Sequence, residues 1–418
     1  MARSAPEAHP REVKQLTAHQ LRIVAPDPVK DAEPLFDLFA KVFADMLGYY
    51  DGLRIARETY FRNSPYDWST ARIGLIGEQI VTHFGVLGYD MRIGTARVRV
   101  AGGGGVATHG DYRKRGLMDS TARAALAAMR EQGYDMTMLF GIPDFYHRFG
   151  YVRAWPHQTI FVAASDLPRE RPAAAVRRFK PRPRQDLRAL HNRHYAAATG
   201  SAVRPFYRKG YAWTKPLDGY LWTGRNGKPG GYVIVQREGG RLWCYEYCGG
   251  AEQALRVLAM LARRWDCEEA RFETIPLHTE LVKRLLRGNC RTETRHRRSG
   301  GPMVRMINLH TTLAKMSREL GRRLRASPLA DWRGDLLVAD PRDEVLLRIA
   351  SGQVKVGEPR PTRHAIRGGE AIAQLVLGTD RPREVIEGGG IRLSGDARWL
   401  VEALFPRQWP ELSALDRY

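Results

Sequence analysis

The chain has 418 residues, of which 43% are hydrophobic and 27% charged, and a formal net charge of +22. That length exceeds what one hydrophobic core ordinarily fills, so two or three domains are expected. No apolar run approaches the ~18 residues that a membrane-crossing helix needs, and the N-terminal stretch MARSAPEAHPREVKQ lacks the apolar core of a secretory signal. The sequence therefore predicts no membrane partner, a cytoplasmic location, and residues 1–19 as a disordered leader.

The charge is unevenly spread. Residues 1–165 carry +3, residues 166–302 carry +15 and residues 303–418 carry +4. The densest basic runs are 177–184, studded with prolines and read as a linker, and 291–298, read with the first as solvated surface. Few aromatics interleave them, which argues against base stacking and makes nucleic acid an unexpected partner. Cys244 and Cys248 lie four apart, while Cys267 and Cys290 stand alone, so no metal-ligand spacing forms. Reduced thiols and no metal are expected.

In chain order, Leu35, Phe36, Phe39, Val42, Phe43, Met46 and Leu47 fall at helical spacing and predict an amphipathic helix over 32–47. Strands are expected at 71–76, 79–87 and 96–106, with turns at Gly77-Glu78 and at Gly88-Tyr89-Asp90. A helix follows over 116–132, with Leu117, Thr121 and Ala125 on one stripe and Gly133 just past its end. Residues 136–140 read as a short buried strand, and 145–149 as one or two helical turns closed by Gly150.

The middle third repeats this grammar more weakly. Strands at 232–236 and 242–248 flank a hairpin turn, then come a helix at 251–265, a strand at 271–275 and a helix at 279–287. Cys248-Gly249-Gly250-Ala251 stands where the first copy has a basic loop, so a degenerate second copy is inferred. The last third offers a strand at 304–308, a basic helix at 311–325, and strands at 335–338, 344–349 and 353–356. Helices at 370–377 and 396–405 complete a small α+β domain.

The chemistry centres on residues 106–118, VATHGDYRKRGLM, where a strand ends in a basic loop and a helix begins. The first amides of a helix have no helical partners, and the helix dipole favours negative charge there. Gly116 admits close approach of a ligand to the backbone, and Arg113, Lys114 and Arg115 add formal charge. A pyrophosphate suits such a cradle.

This segment resembles motif A of the GCN5-related N-acetyltransferases (GNAT superfamily), with Arg113, Gly116 and Met118 at the marked positions and Met118 in place of a small residue. Residues 145–151, FYHRFGY, resemble motif B. The whole layout resembles the Eis-type (enhanced intracellular survival) acetyltransferases. That implies an α/β (α+β) fold of tandem GNAT domains, the first functional over 20–165 and the second degenerate over 166–302. A sterol-carrier-protein-2-like domain with a C-terminal tail would occupy 303–418.

The resemblance further implies acetyl-CoA as cosubstrate. Val106, Ala107 and Thr108 would hold the thioester arm, and Arg113, Lys114, Arg115, Gly116, Leu117 and Met118 the pyrophosphate. Tyr146 would be the general acid, and the carboxylate of Tyr418 would be the base or a proton relay. It implies direct acetyl transfer to a small-molecule primary amine of aminoglycoside, polyamine or lysine type, and a homo-oligomer up to a hexamer. Two other functions stand beside this one. The first is a binder of nucleic acid or another anionic partner through the basic middle domain, and the second is a lipid-binding module with a vestigial acetyltransferase.

Overall fold

The computed structural model describes residues 21–62, 64–181, 185–204, 216–224, 227–297 and 300–417. The expected leader and Tyr418 lie outside the described residues. The chain divides into two units, one made of residues up to Gly88 with Ala101–Tyr134, the other of Tyr89–Val100 with Asp135–Tyr418.

In the first unit, β1 (Arg22–Val24) pairs antiparallel with β2 (Arg72–Ile76), and β2 with β3 (Gln79–Ile93). The strand β4 (Ala96–Thr108) follows β3 in a hairpin, and both strands run on into the second unit. Helices α1 (Ala32–Val42), α2 (Ala44–Leu47) and α3 (Tyr49–Ile55) precede β2, and α4 (Leu117–Glu131) follows β4. The single helix expected over 32–47 breaks at Phe43, whose backbone leaves helical geometry. Core-facing residues end there: α1 buries Leu35, Phe36, Leu38 and Phe39, whereas α2 buries nothing and Met46 is exposed.

The turn expected at Gly88 is not there. β3 continues to Ile93, and the chain reverses at Gly94-Thr95. Gly88 instead makes room: a Cβ on it would lie 2.5 Å from the hydroxyl of Tyr134, which donates to Asp67 at 2.7 Å. Glycine inside a strand marks such close approaches as readily as turns. The helix α4 lies over β2 and β3 by the same device. Thr121 and Thr82 share a 2.7 Å hydrogen bond, and a Cβ on Gly74 would collide with Thr82.

In the second unit, β5 (Met136–Gly141) pairs antiparallel with β15 (Gly301–Met306), which also pairs with β6 (Val152–Arg153). β9 (Ala202–Val203) pairs with the far end of β3. A second sheet contains β7 (His157–Ala163), β8 (Val176–Phe179), β10 (Asp218–Thr223), β11 (Pro229–Glu238), β12 (Arg241–Cys248), β13 (Glu269–Glu273) and β14 (Arg291–Arg295). Its order is β14-β7-β13-β12-β11-β10-β8, with β12 and β13 parallel. Helices α5 (Gln185–His194), α6 (Ala251–Arg264) and α7 (Glu280–Arg287) accompany it. One correction concerns the basic runs, while the second run is exposed as expected. Residues 177–179, expected in a linker, form part of the edge strand β8, because Gly219 leaves space for the Phe179 ring. Arg291–Arg295 forms the opposite edge, β14.

A third sheet, ordered β18-β17-β16-β19-β20, contains β16 (Gly334–Ala339), β17 (Glu344–Ala350), β18 (Gln353–Gly357), β19 (His364–Arg367) and β20 (Arg392–Ser394). It is accompanied by α8 (Leu309–Arg325), α9 (Ile372–Leu377), α10 (Pro382–Gly389) and α11 (Ala397–Leu404). The side chain of Asn308 caps α8 by accepting from the Thr311 amide at 3.0 Å. Glu319 of α8 is fully buried, receiving Arg323 at 2.7 Å and the Thr95 hydroxyl at 2.8 Å. The result is a mixed α/β fold, and no helix among the described residues is long and apolar enough to cross a membrane. All four cysteines are free thiols: Cys244, Cys248 and Cys267 are buried and Cys290 half-buried.

Candidate active site

In the first unit, residues 106–118 form one continuous strand, loop and helix start. Ala107 is buried, while Val106 and Thr108 are half-buried at the end of β4. The strand carries four successive glycines, and Gly105 has φ +57. A Cβ there would meet the Tyr60 hydroxyl at 2.9 Å. The Gly105 carbonyl is held by His83 Nδ1 at 2.7 Å, and His83 Nε2 meets the Tyr66 hydroxyl at 2.7 Å. Burial pulls the His83 pKa down to about 4, against the bond to Gly105, so the ring is neutral near pH 7. A carbonyl needs a donor, so Nδ1 carries the proton and Nε2 accepts from Tyr66. His83 and Tyr66 thus fix the bend before Val106. Sequence reasoning missed both, and the only available signal was the glycine run.

Beyond Thr108 a single 3-10 turn, Gly110–Tyr112, leads into the loop. The Tyr112 hydroxyl donates to Gln79, and the Arg115 guanidinium lies 5.2 Å from the Tyr112 ring centre. Arg113 folds back toward the Thr108 carbonyl at 3.4 Å. Lys114 and Gly116 both sit in the left-handed region, at φ +61 and +78. Nothing lies within 4 Å of where a Gly116 Cβ would stand. Among the described residues, Arg113, Lys114 and Arg115 have no carboxylate within ion-pairing distance, and Arg113 and Lys114 are exposed. Leu117 and Met118 turn their side chains into the core, so they face the loop only through their amides. Met118 in place of a small residue therefore leaves the cradle open. Three unpaired cations, open backbone and a helix start fit the pyrophosphate of a coenzyme A thioester.

Among the acidic residues near the helices of this unit, Asp45 and Glu58 are exposed. Asp37 accepts from Lys41 at 2.8 Å and from the Tyr49 hydroxyl at 2.8 Å. Partial burial works to raise its pKa, but those two hydrogen bonds outweigh it and the net shift is downward. Its charge is already engaged. His109 lies 3.7 Å from Asp111.

Tyr146 belongs to the second unit, in a single 3-10 turn, Tyr146–Phe149, closed by Gly150 at φ +78. It is only 8% exposed, with its ring against Gly141, where a Cβ would lie 2.6 Å from Tyr146 Cδ2. Among the described residues nothing takes its hydroxyl, and burial pushes its pKa up to about 12. Tyr151, beneath it, bonds Thr137 at 2.9 Å and is fully buried, a core residue. Burial also pushes the Cys244 and Cys248 thiols up, so they stay protonated and poor nucleophiles.

His191, Glu246 and Asp416 form a buried cluster of metal-ligand type. The Arg204 guanidinium already bridges its carboxylates, reaching Asp416 Oδ1 at 2.8 Å and Glu246 Oε1 at 3.0 Å. A cation among the ligands is a poor setting for a dication.

Residues 28–154 match the family model of the acetyltransferase (GNAT) domain. No curated protein matches the chain. Among solved structures it is similar to a GCN5-related N-acetyltransferase from Anabaena variabilis ATCC 29413, at 15% identity and TM-score 0.74, covering 95% of this chain and 100% of that one. A GCN5-related N-acetyltransferase from Kribbella flavida is 20% identical, with TM-score 0.69 and coverage of 95% and 100%. Eis1 from Mycobacterium abscessus is 15% identical, with TM-score 0.67 and the same coverage. These likenesses speak to the fold. The matched segment contains the whole strand, loop and helix start of residues 106–118, and it makes the chain an enzyme of the acyltransferase class.

Proposed function

We propose that the chain transfers an acetyl group from acetyl-CoA directly to a primary amine, in a complex holding both substrates. The observation that carries this is the cradle at Arg113–Gly116, with its unpaired cations and left-handed backbone inside the matched segment. Arg113, Lys114, Arg115 and the amides of Gly116, Leu117 and Met118 would hold the pyrophosphate, and the Val106–Thr108 edge the acyl arm. Acetyl-CoA supplies the activated thioester. Burial pushes the Cys244, Cys248 and Cys267 thiols up, which makes them poor acyl acceptors and supports direct attack.

Tyr146 has a narrower role in this reading than that of a full proton donor. With its pKa near 12, proton transfer to a thiolate of ordinary pKa near ~8.5 runs uphill. The phenol therefore acts by donating a hydrogen bond to the sulfur as that atom gains charge. The proton lost by the amine ends on the thiol, so the reaction balances without a net donor. The acceptor class reads as an amine of aminoglycoside, polyamine or lysine type.

Thermal-shift measurement with acetyl-CoA tests the cradle. The wild-type protein should gain several degrees, and Lys114→Gln should lose most of that gain. No shift in the wild type, or an equal shift in both, would sink the assignment.

A further inference from the structure

Tyr146 stands in the connection that leaves β5 at Gly141 and rejoins the same sheet as β6 at Val152, with β15 hydrogen-bonded between those two strands. A single 3-10 turn is too short to hold its own shape. Part of this one is closed from within. The Gly150 amide donates to the carbonyl of His147 at 2.9 Å, and the Tyr151 amide to that of Tyr146 at 3.4 Å. The carbonyl of Phe149 is taken from far along the chain, by the guanidinium of Arg305 on β15. Arg305 stands opposite Thr137 in the β5–β15 pairing, and Thr137 bonds the Tyr151 hydroxyl at 2.9 Å.

A second group fixes the same turn. A Cβ on Gly150 would lie 2.7 Å from Glu370 Oε1, so that carboxylate stands against the backbone just after Phe149. Glu370 precedes α9 and accepts both arms of the Arg342 fork, at 2.8 and 2.7 Å. A bidentate pair of this kind fixes geometry as well as charge. Arg342 belongs to the loop between β16 and β17, where Asp340 accepts from the amides of Arg342 and Asp343 at 2.7 and 2.8 Å. Burial and the nearby Arg342 press the Arg305 pKa down, and the charge of Glu370 opposes them. Glu370 thus offsets the repulsion between two cations held at one turn.

We propose that Arg305 and Glu370, with Arg342 behind them, are positioning residues for Tyr146: they fix its turn and so the place of its hydroxyl. All four residues lie in the second unit. The proposal rests on the role given to Tyr146 above, and it gives the last third of the chain a share in that role. A phenol that acts through one hydrogen bond tolerates little displacement, since a misplacement of about 1 Å can cost on the order of 10²-fold in rate.

A 3-fluorotyrosine placed at position 146 reports the turn by fluorine NMR without any substrate. Its line should shift or split in Arg305→Met and in Glu370→Gln. It should stay in place in Arg360→Gln, which removes an ion pair to Asp335 elsewhere in the same unit. Thiol release from acetyl-CoA with kanamycin or spermidine then reads the consequence. Arg305→Met should lower kcat about tenfold with the KM for acetyl-CoA held within about twofold, and Arg305→Lys, which keeps a donor, should recover most of the loss. Added to Tyr146→Phe, Arg305→Met should cost almost nothing more, because its effect runs through that hydroxyl. An unmoved fluorine line in both variants, or an equal loss with and without the Tyr146 hydroxyl, overturns the proposal. Should Arg305→Met not fold, Glu370→Gln carries the same two readouts. If Tyr146→Phe alone leaves turnover unchanged, or neither amine is acetylated, the reading above fails instead, and the fluorine line still decides the positioning.

Discussion

At the scale of single residues, the proposed roles of Tyr146 and of Gly116 each make a separate test. Tyr146 keeps a buried ring and a hydroxyl that nothing takes among the described residues, and its raised pKa keeps that hydroxyl protonated well above neutral pH. Tyr146→Phe preserves the packing on Gly141, so kcat should fall by about 10²-fold with little change in the KM for acetyl-CoA. An equal fall in both would mean that the residue only supports the fold. Gly116 is left-handed with open space above it. Gly116→Val should weaken acetyl-CoA binding at least tenfold by straining the backbone and filling the approach, as a binding titration would read.

At the scale of elements, glycines decide what the apolar pattern leaves open. Gly88→Ala inserts a methyl against the Tyr134 hydroxyl and should cost about 1–3 kcal/mol of stability. Gly110→Ala, with nothing within 4 Å of the new Cβ, should be nearly neutral. Urea melts of the two variants check this, and equal midpoints would refute it. The sequence showed the elements that carry a strong period or a glycine stop, such as α4, α6 and α8. The passage from strand end through cations to helix start at residues 106–118 was legible too, because those residues are contiguous. The strand through Gly88 was not legible, since the same residue marks a turn or a close contact and only the distant Tyr134 decides. Nor were the edge strands β8 and β14, whose arginines point to solvent and conceal the pairing. The His83 latch joins residues far apart in the chain, which no local pattern encodes.

At the scale of the whole molecule, buried titratable groups set an acid limit. Burial holds the pKa values of His83 and His194 at about 4 and that of His191 well below the usual value. Above ~6.5 the folded and unfolded chains are equally neutral at these rings. Between there and about 4 the unfolded chain takes protons that the fold refuses, so stability falls as pH drops. His83 alone accounts for a loss on the order of 3 kcal/mol across that window. Burial would raise the Glu319 pKa, but hydrogen bonds from Arg322, Thr95 and Arg323 overcome it and hold the value at about 2. Its contribution is present above the ordinary carboxylate range and is lost between there and about 2. The melting temperature should therefore drop steeply from pH 7.5 to pH 5, and a flat profile would contradict this. The thiol distribution has a practical corollary. With three cysteines shielded and Cys290 partly open just before β14, a maleimide dye should attach at that one position in the native protein. It would place a fluorophore beside the edge strand β14 without any engineering of the chain.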